Sequence, residues 1–158
     1  MTVWFQRSLV LPTLPNGIKL ISLEILDTLP EIKTIEVGML NVFLRHTSAS
    51  LSINENADPD VRRDLAMALE RIVPESLPYQ HTLEGRDDMP AHVKSSIIGS
   101  SLNIPIGKGR LLLGTWQGIY LCEHRDTIHH REVILTAYGK NKINIINFLG
   151  KAGNFLFN

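Results

Sequence analysis

Hydrophobic and polar residues alternate through most of the first fifty positions. The run VWFQRSLVLP is followed by the turn pair Asn16–Gly17 and then by IKLISLEI, a pattern that predicts two strands joined as a hairpin. The stretch TIEVGMLNVFLRHTSAS predicts a longer strand. Counted by twos, Leu40, Val42, Leu44 and His46 share one of its faces. His46 therefore stands where an apolar face runs out, just ahead of a cluster of hydroxyls.

The period then changes. In NADPDVRRDLAMALERIVP, Val61, Leu65, Ala68, Leu69 and Ile72 recur at helical spacing. Asp58 can cap this helix, Pro59 suits its first turn and Pro74 ends it. Arg62, Arg63, Asp64 and Glu70 fall outside the stripe and read as a solvated face. A second, shorter helix begins near Pro90 in DDMPAHVKSSIIG, with Gly99 as its stop. Beyond it, SLNIPIGKGRLLLGTWQGIYLCEHR predicts two strands joined by a tight turn at GKG. REVILTAYGK predicts the last strand.

Two helices among roughly seven or eight strands describe one α+β domain, largely antiparallel, without repeats. Its expected extent is residues 1–138. Residues 139–158, rich in asparagine, lysine, isoleucine and phenylalanine, read as a C-terminal extension, either a docked helix or a loosely held appendage.

Composition narrows the function. Hydrophobic residues make up 44 % of the 158 and charged ones 20 %, which suits a packed core rather than a disordered chain. Lysine plus arginine balances aspartate plus glutamate at sixteen each, so no basic excess calls for nucleic acid or an anionic membrane. No apolar run has the length of a membrane span. The start, MTVWFQRSLVLP, lacks a basic region ahead of a signal-peptide core. The lone Cys122 has no partner for an internal disulfide and reads as a small packed hydrophobe, which together point to a reducing cytoplasm.

Three clusters carry candidate chemistry. In HTLEGRDDMPAH, His81, Glu84, Asp87, Asp88 and His92 could ligate a divalent ion, imidazole suiting zinc-like ions and carboxylate suiting magnesium or manganese. The spacing lacks the HExxH pairing and the cysteine pairs of zinc fingers, and a polar loop ahead of a helix is the competing reading. In RHTSASLSINENAD, His46, Thr47, Ser48 and Ser50 form a hydroxyl-rich turn that could hold phosphate, with Asn54 and Glu55 close behind. Local hydrogen bonding explains the same turn without a ligand. In GTWQGIYLCEHR, Gln117 and Glu123 interrupt an apolar strand face. A buried Glu123 would need Arg125, Arg131, Lys94 or a ligand as partner. Trp116 reads as core, and Gly114 and Gly118 mark a bulge or a close approach. No nucleophile elbow, phosphate-binding P-loop or dinucleotide turn is present, so no nucleotide cofactor is expected.

Taken in order, HTSASLSINENAD, HTLEGRDDMPAHVKSS and GTWQGIYLCEHR resemble the YjbQ family, also called UPF0047, from about Val3 to Tyr138. The resemblance implies an α+β fold with a β-sandwich core and assembly as a homotrimer. It also implies a secondary thiamine-phosphate synthase activity, which joins hydroxymethylpyrimidine diphosphate to thiazole phosphate with release of pyrophosphate. On this resemblance His46, Glu55, Asp88, Lys94 and Glu123 become candidate catalytic residues. Thr47, Ser48, Lys94 and Gln117 become candidate phosphate contacts, and His46, His81 and His92 candidate metal ligands. Many relatives carry phenylalanine at the position of His124, which argues against an obligatory ligand there. His129 and His130 read as surface residues. The alternatives are a metal-dependent protein that binds or scavenges a small metabolite, and a structural trimer.

Overall fold

The computed structural model describes residues 1–13 and 15–142. The expected C-terminal helix or appendage therefore lies, from residue 143 onward, outside the described residues. Eight strands and three α-helices follow one another as β1 (Thr2–Pro12), β2 (Ile18–Leu20), α1 (Ser22–Thr28), β3 (Ile35–Leu44), β4 (Ala49–Glu55), α2 (Pro59–Ile72), α3 (Asp88–Ile98), β5 (Ser101–Gly107), β6 (Arg110–Leu111), β7 (Gln117–Glu123) and β8 (His130–Asn141). A short 3₁₀ turn, Pro30–Thr34, leads into β3. The strands make a five-stranded sheet ordered β1-β8-β3-β5-β6 and a three-stranded sheet ordered β2-β7-β4. All pairings are antiparallel.

The core lies between the two sheets. Leu40, Val42, Leu44, Ile104, Ile106, Val133, Leu135 and Ala137 face it from the larger sheet, and Ala49, Leu51, Ile119 and Leu121 from the smaller. Each strand supplies every second residue, as the pleat requires. Helix α3 packs on β4 and α2 on β2, giving the smaller sheet a second covered face. That covering explains why Gly118 through Glu123 are all buried, although alternation alone would leave half of them in water.

Three expectations need correction. The predicted hairpin after Asn16–Gly17 does not form, since β1 pairs with β8 and β2 with β7. Only the first three residues of IKLISLEI are strand and its second half is helical: Ile21, Ile25 and Leu29 recur every four residues, all are fully buried, and this helical spacing prevails there over the two-residue alternation. The strand after the GKG turn is also interrupted. Lys108 and Gly109 turn β5 into β6 with positive φ angles of 52° and 80°, but β6 ends at Leu111. The chain then crosses to the other sheet before β7 begins. Strand β8 itself runs from His130 to Asn141.

Helix α2 follows its signals closely, with the Asp58 carboxylate accepting from the Asp60 N–H at 2.8 Å and Pro59 in the first turn. Its apolar stripe is only partly covered: Leu69 is buried but Ile72 is 67 % exposed.

Candidate functional site

Helix α3 begins at Asp88, two residues ahead of the proline that marks it in the sequence. Asp88 and His92 therefore lie one turn apart on the same helix face. The loop before α3 brings His81 and Glu84 to that face. Among the described residues, His81, Glu84, Asp88 and His92 form a group whose ligand atoms all lie within 4.8 Å of one another. Asp88 is almost wholly buried, while His81 and Glu84 reach solvent.

The orientation of the imidazoles is specific. The His92 Nδ1–H donates to the Thr47 carbonyl oxygen at 2.9 Å, so Nε2 is the atom turned toward the carboxylates. Asp88 Oδ2 lies 3.1 Å from that Nε2 and 2.9 Å from His81 Nε2. Two ring nitrogens thus converge on one carboxylate oxygen. Such convergence is attractive where the rings carry protons, or where a cation between them accepts three lone pairs. A hydrogen bond such as the one the Thr47 carbonyl accepts from His92 is what fixes the ring of a metal-binding imidazole.

Arg125 completes the arrangement from the end of β7. Its guanidinium holds the other Asp88 oxygen, Oδ1, in an ion pair. Nε donates to Asp87 Oδ2 at 2.8 Å and Nη2 to the Glu84 carbonyl oxygen at 2.7 Å. One side chain therefore ties the 84–87 loop to the first residue of α3. Burial by itself would raise the Asp88 carboxyl, but the His81 hydrogen bond and the charges of His92 and Arg125 hold it below the usual carboxylate value. Burial pulls Asp87 the same way. The Arg125 side chain and the Asp126 backbone N–H outweigh it, so Asp87 too is held low. The hydrogen bond to Asp87 leads the effects that raise Arg125.

Other candidates lie elsewhere. His46 is outside the group: its Nε2 accepts from the Glu132 N–H at 2.8 Å, and burial, then the Arg131 charge, draws its pKa down. Glu123 sits in a buried network. It accepts from Arg131 Nε at 2.8 Å and Nη2 at 2.5 Å, from Thr13 Oγ1 at 2.8 Å and from the His124 and Arg125 N–H groups at 3.0 Å. Burial would raise this carboxyl too, but Arg131 and the other donors lower it. Ser48 Oγ accepts from the same guanidinium at 3.0 Å, and Thr47 is exposed. Lys94 is 2 % exposed and ion-paired with Glu70, whose carboxylate is partly exposed and bridges the buried ammonium to solvent. Gln117 Oε1 accepts from the Gly114 N–H at 2.7 Å and closes a turn. Trp116 is 64 % exposed and not in the core. A Cβ on Gly118 would come within 2.5 Å of Leu20 and 2.9 Å of Asn56, which is the close approach its position demands. Glu55 is half-buried, and its carbonyl accepts from Tyr120 at 2.7 Å.

The sequence pattern missed two features of the site. The Asp88–His92 pair escaped because Pro90 suggested a later helix start. Arg125 appeared only as one possible partner of Glu123, and nothing in its neighbours shows that it reaches the 84–87 loop.

A small two-sheet antiparallel domain with an imidazole–carboxylate cluster at the start of one helix is the class this structure defines. A family model described as UPF0047 protein YjbQ-like matches residues 8–140, and the chain belongs to that family. It is 48 % identical over 138 residues to the UPF0047 protein YjbQ of Salmonella typhimurium, covering 87 % of this chain and all of that one. A UPF0047 protein of Synechocystis is 54 % identical over 107 residues, 67 % of this chain and 73 % of the relative. Among solved structures, an uncharacterized YjbQ/UPF0047 protein of Clostridium acetobutylicum superimposes with TM-score 0.73 at 39 % identity, over 81 % of this chain and 97 % of that one. A YjbQ-like protein of unknown function from Sulfolobus solfataricus gives TM-score 0.79 at 20 % identity, over 89 % of this chain and the whole of that one, a likeness of fold.

Proposed function

We propose that this protein is a divalent-metal protein that acts on a small phosphorylated metabolite. The observation that carries this reading is the convergence of two imidazole Nε2 atoms and two carboxylates within 4.8 Å, with His92 oriented by the Thr47 carbonyl. Two imidazoles with carboxylate oxygens are a donor set that zinc, manganese and related ions accept. His81, His92 and Asp88 would hold the ion with Glu84 assisting, and the ion would supply charge stabilisation for a phosphorylated group. Arg125 keeps Asp88 Oδ1 engaged and so leaves Oδ2 as the ligand atom.

The activity that fits this reading, as the family resemblance implies, is a secondary thiamine-phosphate synthase. The thiazole nitrogen attacks the methylene carbon of hydroxymethylpyrimidine diphosphate. The carbon–oxygen bond breaks, and pyrophosphate leaves with the electron pair. Such a reaction needs orientation and stabilisation of the departing charge more than proton transfer. The reading includes a homotrimer. On the outer face of the larger sheet Trp4 stacks on Tyr138 at 4.4 Å, and Val37 and Phe43 are exposed, apolar surface that such an assembly would cover.

Metal analysis of purified, untagged protein, with the subunit state measured on the same samples, tests the proposal. The expected result is one ion per chain in the wild type, lost from His81→Ala and His92→Ala variants that keep the wild-type subunit state. Metal-free wild type under replete conditions overturns it. With metal loaded, release of pyrophosphate from the two synthase substrates tests the activity.

A further inference from the structure

Helix α2 turns one face toward a cleft that the proposed metal site does not use. Arg62, Ala66 and Glu70, spaced one turn apart, line it from the helix. Asn16 to Ile18, the segment entering β2, line it from the other side. The outer part measures about 290 Å³ and its walls are mostly apolar, with Ile18, Pro59 and Ala66. Asn16, Ile18 and Ala66 also line an inner end of about 10 Å³, which Glu70, Glu123 and His124 close. We infer that this cleft binds a small uncharged aromatic amine, its ring in the outer part and its amino group in the inner end against His124 Nδ1 and Glu70. The inference is independent of the proposed metal site.

Two observations at the inner end point to a ligand. His124 is 4 % exposed, and its Nε2 is engaged by Ser50 Oγ at 2.8 Å, while Nδ1 has no hydrogen-bond partner among the described residues. The unpartnered side-chain atoms sealed from water among those residues are Glu31 Oε2 and the Tyr79 hydroxyl. His124 Nδ1 is therefore open to a water-sized group, and the space that His124 lines is the inner end. A ring nitrogen in so buried a side chain with nothing bonded to it is costly, and whatever enters the recess satisfies it. Glu70 supplies the second observation. Its Oε1 is held by the buried Lys94 ammonium, while Oε2 has no partner among the described residues. Glu123 offers no further acceptor, since both its oxygens are taken by Arg131, Thr13 and backbone N–H groups.

These atoms select the ligand. Burial, then the Lys94 charge, lower His124 to about 4, so the ring is neutral near pH 7 and Nδ1 can accept when Nε2 carries the proton toward Ser50. An imidazole lone pair and a carboxylate oxygen both call for donors, and an amino group on a ring brings two N–H donors on one atom. The inner end has the volume of about one water, so it takes that group and not the ring. An apolar cavity of about 150 Å³ is enough for benzene, so the outer part has room for a ring against Ile18, Pro59 and Ala66. A protonated amine would meet the charges of Lys94 and Arg62, which favours the uncharged form.

Aniline is the probe, and toluene, of the same shape without the donors, is its comparison. Each is titrated into the full chain, and the imidazole nitrogen signals of His124 and the amide signals of Asn16, Ile18 and Ala66 are followed by NMR. The expected result is saturable binding of aniline at millimolar concentration that moves the His124 signals, with toluene about fivefold weaker. His124→Phe should weaken aniline about tenfold, and Ala66→Leu, which narrows the cleft and leaves the inner polar atoms in place, should block it. Met67→Leu, at an exposed position on the same helix, should leave binding unchanged, and neither manganese nor chelator should alter these results. Toluene binding as tightly as aniline, or His124→Phe within about twofold of wild type, overturns the inference. So does unchanged binding in Ala66→Leu, which keeps the test intact should His124→Phe fail to fold. No saturable shift with aniline at concentrations on the order of tens of millimolar also overturns it, and the inner end is then a site for water only.

Discussion

Replacing Arg131 with methionine removes the one formal charge hydrogen-bonded to Glu123 among the described residues and keeps much of the volume. The Glu123 side chain is about 1 % exposed, and the two Arg131 donors are its charged contacts. The remaining donors, Thr13 and two backbone N–H groups, are neutral. Breaking a buried pair from one side leaves a carboxylate that neither water nor a cation compensates, typically at about 3–5 kcal/mol. Against a whole-domain stability of about 5–15 kcal/mol that is a large share.

The pH dependence has a definite sign. In the wild type the folded Glu123 carboxyl is held below its ordinary value, so its stabilising contribution is present above the unfolded pKa and is lost as pH falls through the folded one. In the variant only the neutral donors, Thr13 and the backbone N–H groups, oppose burial, so the folded pKa should rise and the group destabilises wherever it must stay ionised. The gap between the two proteins should therefore be widest near neutral pH and narrow as the carboxyl protonates. Urea unfolding of wild type, Arg131→Met and the double variant Arg131→Met/Glu123→Leu over a pH series measures this. The double variant should recover much of the loss, because two apolar groups leave no orphaned charge. A single variant within about 1 kcal/mol of wild type at neutral pH, or a gap that does not change with pH, refutes the reasoning. Arg125 takes its backbone position partly from Glu123, so at the proposed metal site the single variant should show weaker uptake than wild type.

Other expectations concern buried groups beside this network. Burial, then the Lys94 charge, lowers His124 to about 4, with its Nε2 paired to Ser50 Oγ at 2.8 Å. A folded value so far below the unfolded one means that the unfolded chain takes up a proton first, so stability should fall as pH drops from about 6.5 toward 4, by about 3 kcal/mol in all. His124→Phe should flatten that fall, and thermal unfolding that keeps the full slope in this variant would count against it. Cys122 is buried and its thiol is pushed up to about 11 by burial, so a thiol reagent should label it only as fast as the chain unfolds. Rapid labelling of native protein would contradict that burial.

What the sequence determined by itself was the type of fold and most of its local punctuation. The caps of α2, the GKG turn and the Gly99 stop are each decided by neighbouring residues, and the structure places them where the pattern does. Alternation likewise identified β3 and β8, because each keeps one face against the core. The tertiary structure decided the rest. IKLISLEI contains both a two-residue and a four-residue period, and only the space beneath the sheets selects the helix that buries Ile21, Ile25 and Leu29. The partner of β1 is β8, more than a hundred residues away, and pairing at that distance leaves no local signal. The site divides in the same way. His81, Glu84, Asp88 and His92 lie within twelve residues and could be nominated from the sequence. Their orientation depends on the Thr47 carbonyl and on Arg125, which reach them from the segments that follow β3 and β7. The sequence offered Arg125, Arg131 and Lys94 alike as partners for a buried Glu123; the fold pairs Glu123 with Arg131 and Lys94 with Glu70, because burying any of these charges alone would cost more than the structure could bear.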